Sequence, residues 1–111
     1  MDGLEWYRET LTKILNKYAA ITYSYGEINK IVIVSGDRNH FLLVNEGWEG
    51  KKHIHHCLVH AEIRGEKIWI YYDGIEDSIT EELVAAGIPK SKIVLAFHPP
   101  YVREQTGYAV A

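Results

Sequence analysis

The sequence holds a single cysteine, Cys57, so it cannot form an intramolecular disulfide. Disulfide-stapled secreted scaffolds are excluded, and a reducing, cytoplasmic setting is expected. No apolar run approaches the roughly 18 residues that a membrane span needs. The opening residues Met1 to Glu5 carry acids and no basic stretch ahead of an apolar one, so no signal peptide is expected. Proline (3) and glycine (9) are too scarce among 111 residues for a collagen-like or low-complexity chain. A large excess of either charge is also missing: 12 Lys plus Arg stand against 15 Asp plus Glu, a formal charge of −3. DNA-gripping domains normally carry a basic face that neutralises phosphates. Neither half of this chain is basic, so any DNA contact is expected to be weak or indirect. The phosphate loops GxGxxG and GxxxxGK[ST], the GxSxG elbow, and the metal patterns CxxC and HExxH are all absent.

What is present fits one domain, residues 1–111. The chain is 47% hydrophobic and long enough to bury a core without staples. Leu4, Tyr7, Leu11, Ile14, Leu15 and Tyr18 follow helical spacing and predict an amphipathic helix over 4 to about 20. A second helix is expected from Asp77-Ser78, where Ser78 and Glu81 form a capping box, to the stop at Gly87 and Pro89. Five strands are expected: Ile31–Val34, Phe41–Val44, His53–Arg64, Lys67–Tyr72 and Ile93–Phe97. The hairpin turn Arg64-Gly65-Glu66-Lys67 joins the third to the fourth. The order α-β-β-β-β-α-β gives an α+β fold, a mainly antiparallel sheet of about five strands with two main helices. The first two strands are apolar on both faces, and two helices cover only one face well. A second subunit is a plausible cover, so a homodimer is expected.

His53, His55, His56, His60 and Cys57 crowd one strand. Imidazole and thiolate are transition-metal ligands, and His53 and His55 with His98 are the candidate set. Alternation places His53, His55 and Cys57 on one face, and His56 and His60 on the other. The spacing matches no metal motif, and ordinary sheet positions account for these residues. No metal ligand, cofactor or catalytic residue is assigned. Cys57 lacks any signature of an activated thiol. The acid pairs Glu76-Asp77 and Glu81-Glu82 sit at a helix start, which the helix dipole explains. Trp6, Trp48 and Trp69 lack the interleaved Lys and Arg of a base-stacking platform and read as packing residues.

The tail is different in kind. In Phe97-His98-Pro99-Pro100-Tyr101-Val102-Arg103 the double proline ends the sheet and makes a stiff corner. His98, Pro99, Pro100, Tyr101 and Arg103 are the candidate partner surface.

An ordered set of segments runs the length of the chain. It comprises Val44-Asn45-Glu46-Gly47-Trp48, Cys57-Leu58-Val59-His60, Lys67-Ile68-Trp69-Ile70 and Asp73-Gly74-Ile75-Glu76. Glu82 to Pro89, Ile93 to Pro100 and Gly107 to Ala111 complete it. This set resembles the XisI family, the fdxN-element excision controlling factors of cyanobacteria. Ile75 stands where threonine is usual, Tyr108 where phenylalanine is usual, and His56 where glycine is common. The resemblance implies a regulatory, non-catalytic role in programmed DNA excision during heterocyst development. It implies an XisH-like companion protein and a site-specific recombinase as partners. Direct DNA binding, with a basic patch built from Lys51, Lys52 and Arg38, is the alternative. A histidine-based metal protein is a further one.

Overall fold

Helical spacing of apolar residues does what it predicts at the N-terminus. Gly3–Ala19 forms helix α1, which buries Tyr7, Leu11, Ile14, Leu15 and Tyr18 along one stripe. The computed structural model describes residues 3–21 and 27–111. Met1 and Asp2 of the opening segment and Tyr23 and Tyr25 lie outside them. Strands follow at Glu27–Val34 (β1), His40–Glu49 (β2), Lys52–Arg64 (β3) and Lys67–Asp73 (β4). Helix α2 spans Ile79–Ala85, strand β5 Ile93–Leu95, and a short helix α3 Pro100–Arg103. The sheet order is β1-β2-β3-β4-β5; all neighbours are antiparallel except β4 and β5, which are parallel. The expected α+β order is the observed one, with α3 added. β5 is shorter than expected, because its chain turns at Ala96 and leaves Phe97 outside the ladder. Among the described residues no helix is long and apolar enough to cross a membrane.

One face of the sheet carries the core. Phe41, Leu43, Val59, Ala61, Ile68 and Ile70 meet Leu11 and Leu15 of α1 and Leu83 of α2. Each fully buried leucine or isoleucine there contributes about 1.5–3 kcal/mol. Two contacts lock α1 to its neighbours. Glu82 of α2 accepts from Lys17 at 2.9 Å and from the Tyr18 hydroxyl at 3.1 Å. Burial, and then the Glu82 carboxylate, push the Tyr18 hydroxyl up to about 12. At the other end Arg38, in the β1–β2 turn, pairs with Glu5 at 2.7 Å.

Gly47 shows why β2 needs glycine. A Cβ there would lie 1.8 Å from the Glu27 carbonyl oxygen, so any side chain would push β1 off β2. The β3–β4 turn puts Gly65 and Glu66 at φ 59° and 63°. That is the left-handed pair a two-residue hairpin requires.

The start of α2 is capped twice. Ser78 Oγ accepts from the Glu81 N–H at 3.4 Å, as the capping box predicts. Asp73, at the end of β4, does more. Its carboxylate accepts from the Ile79 N–H at 3.0 Å, the Thr80 N–H at 3.3 Å, the Thr80 hydroxyl at 3.1 Å and the Ser78 hydroxyl at 2.8 Å. It therefore holds Ser78 in its positive-φ conformation, φ 64°, and joins α2 to the sheet. Asp73→Ala is expected to cost about 2 kcal/mol, the upper end for a lost cap, and Ser78→Ala less. Urea unfolding of the two variants checks the order.

Candidate partner surface

The tail corner is built from backbone upward. After Leu95 the chain turns twice: the Ala96 N–H bonds the Val94 carbonyl at 3.0 Å, and the His98 N–H bonds the Leu95 carbonyl at 3.1 Å. These turns carry Phe97 outward. Pro99 is extended at φ −67°, and Pro100 opens α3 at the position where a missing N–H costs nothing. The Val102 N–H then bonds the Pro99 carbonyl at 2.9 Å. On this rigid corner Tyr101 is 71% exposed and Phe97 44%. The Phe97 and His98 rings pack at 4.6 Å.

Arg103 faces inward along the corner. Its Nε donates to the His98 carbonyl at 2.8 Å, and Nη1 to the Val110 carbonyl at 3.4 Å. It thus braces the corner against the C-terminal strand segment. Its guanidinium lies 5.7 Å from the Trp69 ring, and Arg64 stacks on that ring at 3.6 Å. Trp69 in turn donates to the Arg64 carbonyl at 3.1 Å. Of the sequence candidates, the structure brings His98, Pro99, Pro100, Tyr101 and Arg103 together on one corner. Tyr101 and both prolines are exposed, while His98 and Arg103 are half-buried.

Beside this corner lies a polar network on the sheet face away from the helices. A β-bulge at Leu58 shifts the β2–β3 register: Leu43 pairs with Val59, but Val44 pairs with Cys57. The expected faces are corrected accordingly. His60 shares the outer face with His53, His55 and Cys57, and only His56 stays on the helix side, beside Asn45 at 3.3 Å. His60 Nε2 is 3.1 Å from His40 Nδ1, and His40 Nε2 is 3.3 Å from Glu62. The Tyr71 hydroxyl donates to Glu62, and Arg64 donates to the Tyr71 oxygen at 3.3 Å. The ring of Tyr71 packs on His60 at 5.0 Å. Sequence reasoning missed this network, although the alternation His60, Glu62, Arg64 marks one strand face.

The other histidines do not converge. His53 bonds Glu46 at 3.1 Å and packs on Trp48 at 4.8 Å, with the His55 ring 6.3 Å away. His98 is on the tail corner instead. Among the described residues no three His, Cys, Asp or Glu side chains are grouped to hold a metal ion. Burial pushes the Cys57 thiol up, away from the thiolate a nucleophile needs. The basic residues do not converge either. Arg38 lies in the β1–β2 turn and Lys51 and Lys52 at the β2–β3 turn, at opposite ends of the 10-residue strand β2, roughly 30 Å apart. Arg38 is also paired with Glu5.

A model of a protein family described as XisI protein matches residues 1–110. The fold superposes on a XisI-like protein from Anabaena variabilis with a TM-score of 0.88 and 36% identity, covering 97% of this chain and 99% of that one. It also superposes on the fdxN element excision controlling factor XisI from Anabaena variabilis, with a TM-score of 0.82 and 35% identity, covering 99% and 100%. No curated protein matches the chain.

Burial, and next the neighbouring His40, hold His60 below its ordinary 6.5, against a smaller opposing pull from Glu62. The folded state thus keeps His60 neutral where the unfolded chain takes up a proton. Stability is expected to fall as pH drops from 6.5 through the lowered folded value. His60→Gln should blunt that acid sensitivity, read as the shift in urea midpoint between about pH 7 and about pH 5.

Proposed function

Because the chain belongs to the XisI family, we propose that it is a non-catalytic accessory factor in the control of DNA element excision. It works in the cytoplasm through protein contacts. Its partners are an XisH-like companion and, through that companion, a site-specific recombinase. The similarity to the fdxN element excision controlling factor XisI over the full length of both chains supports the excision role.

The observation that favours protein contacts is the tail corner. Phe97 and Tyr101 are large apolar side chains held out on a backbone fixed by two prolines and by Arg103. Pre-ordered aromatic anchors lose little entropy on binding, and such residues dominate the energy of protein interfaces. Direct DNA binding is less favoured, since the basic residues proposed for it are divided between the two ends of the sheet.

The experiment is co-expression with the XisH-like companion, followed by size exclusion with light scattering. A stable joint peak is expected. Phe97→Ala combined with Tyr101→Ala should weaken it by about 30-fold or more, the loss of an anchor worth ~2 kcal/mol. Two separate peaks for the unaltered chains would overturn the proposal.

A further inference from the structure

Cations gather around Trp69 on the sheet face away from the helices. Ile68 and Ile70 turn into the core, so alternation turns Lys67, Trp69 and Tyr71 to the opposite face. Arg64 lies across the hairpin from Lys67 in the β3–β4 register, and opposed residues share a face. The Arg64 guanidinium sits over the Trp69 ring, 3.6 Å from its centre, and the Trp69 Nε1–H donates to the Arg64 carbonyl at 3.1 Å. Arg103 approaches the same ring at 5.7 Å. Three positive side chains, Arg64, Lys67 and Arg103, thus share one patch beside the tail corner.

Their donors are spent unequally. Arg103 gives its Nε and Nη1 hydrogens to the His98 and Val110 carbonyls. Arg64 gives Nη1 to the Tyr71 oxygen at 3.3 Å, and its Nε and Nη2 have no partner among the described residues. The same holds for the Lys67 ammonium. Among the described residues Glu62 is the one carboxylate paired with the patch; it stands 4.0 Å from Arg64 and already accepts from Tyr71. A positive surplus therefore remains, on a chain whose formal charge is −3. The Arg64 side chain is 51% exposed, yet the indole beneath it fixes its orientation. A guanidinium held in this way presents paired donors that match a carboxylate.

We propose that the partner segment docking on the tail corner is acidic, with Arg64 taking one of its carboxylates and Lys67 drawing in the rest of its charge. This rests on the reading of the corner as a protein-docking surface and adds what the partner must carry: aspartate or glutamate next to the apolar groups that meet Phe97 and Tyr101. A nucleic acid fits less well. Arg64 covers the Trp69 face on which a base would stack, and Arg103 has spent donors that a phosphate would need.

Isothermal titration calorimetry of the full chain with the XisH-like companion, at low and high salt, tests this, with short duplex DNA titrated in parallel. Arg64→Glu and Lys67→Glu should each raise the dissociation constant for the companion by at least about tenfold at low salt, and by less at high salt. Arg64→Lys keeps the charge but loses the paired donors, and should still raise it several-fold. Circular dichroism checks that each variant folds; Lys67→Glu carries the test alone if Arg64→Glu, which faces Glu62, does not. A complex indifferent to all three substitutions, yet broken by Phe97→Ala with Tyr101→Ala, would overturn the acidic partner and leave the docking surface standing. No complex with the unaltered chain would overturn both. Arg64-dependent binding of the duplex DNA in place of the companion would overturn the proposal in favour of a nucleic acid.

Discussion

The apolar stripe of α1, laid across one face of the sheet, decides what the rest of the molecule can do. Leu11, Ile14 and Leu15 meet Phe41, Leu43 and Val59 there, and α2 adds Ile79 and Leu83 to the same layer. All of the main helical mass is spent on that face. Among the described residues the opposite face is covered only at the β5 side, where Val94 is buried and the tail comes to Trp69. Toward β1 it remains open, with Ile31 and Ile33 in solvent. No further element among the described residues covers it, so apolar side chains stand in solvent where packing ends.

Two irregularities then set where the polar groups fall. The bulge at Leu58 moves His60 to the open face, beside His40, and a second register shift between His60 and Ala61 brings Tyr71 over Glu62. The resulting network runs from His60 through His40, Glu62 and Tyr71 to Arg64. It leads through Arg64 and Trp69 to Arg103, which braces the proline corner. The corner is thus anchored both by its prolines and by the sheet. That rigidity is what the proposed docking surface needs.

The sequence made the elements legible wherever local rules suffice. Helical spacing marks α1, the Ser78 and Glu81 box marks the start of α2, and the Gly65-Glu66 turn marks the β3–β4 hairpin. The stiff corner at Pro99 and Pro100 was equally readable. What stayed hidden depends on contacts between distant residues. Strict alternation put His60 with His56, and one inserted residue at Leu58 reversed it. Asp73 falls just past the expected fourth strand, yet it caps the helix that begins after Ser78. Arg38 looked available for phosphate, yet Glu5 holds it across the α1–β1 end of the molecule. Phe97 read as a strand residue, because the turn that expels it is made by the backbone of Val94 and Leu95.

The uneven covering leaves a braced aromatic corner suited to a different protein, and docking at that corner is the central claim. Amide hydrogen exchange on the chain alone and mixed with the proposed XisH-like companion tests it most directly. Slower exchange is predicted across residues 97–103 on binding, with residues 27–34 unchanged. Protection that appears on 27–34 and leaves 97–103 untouched would contradict the account.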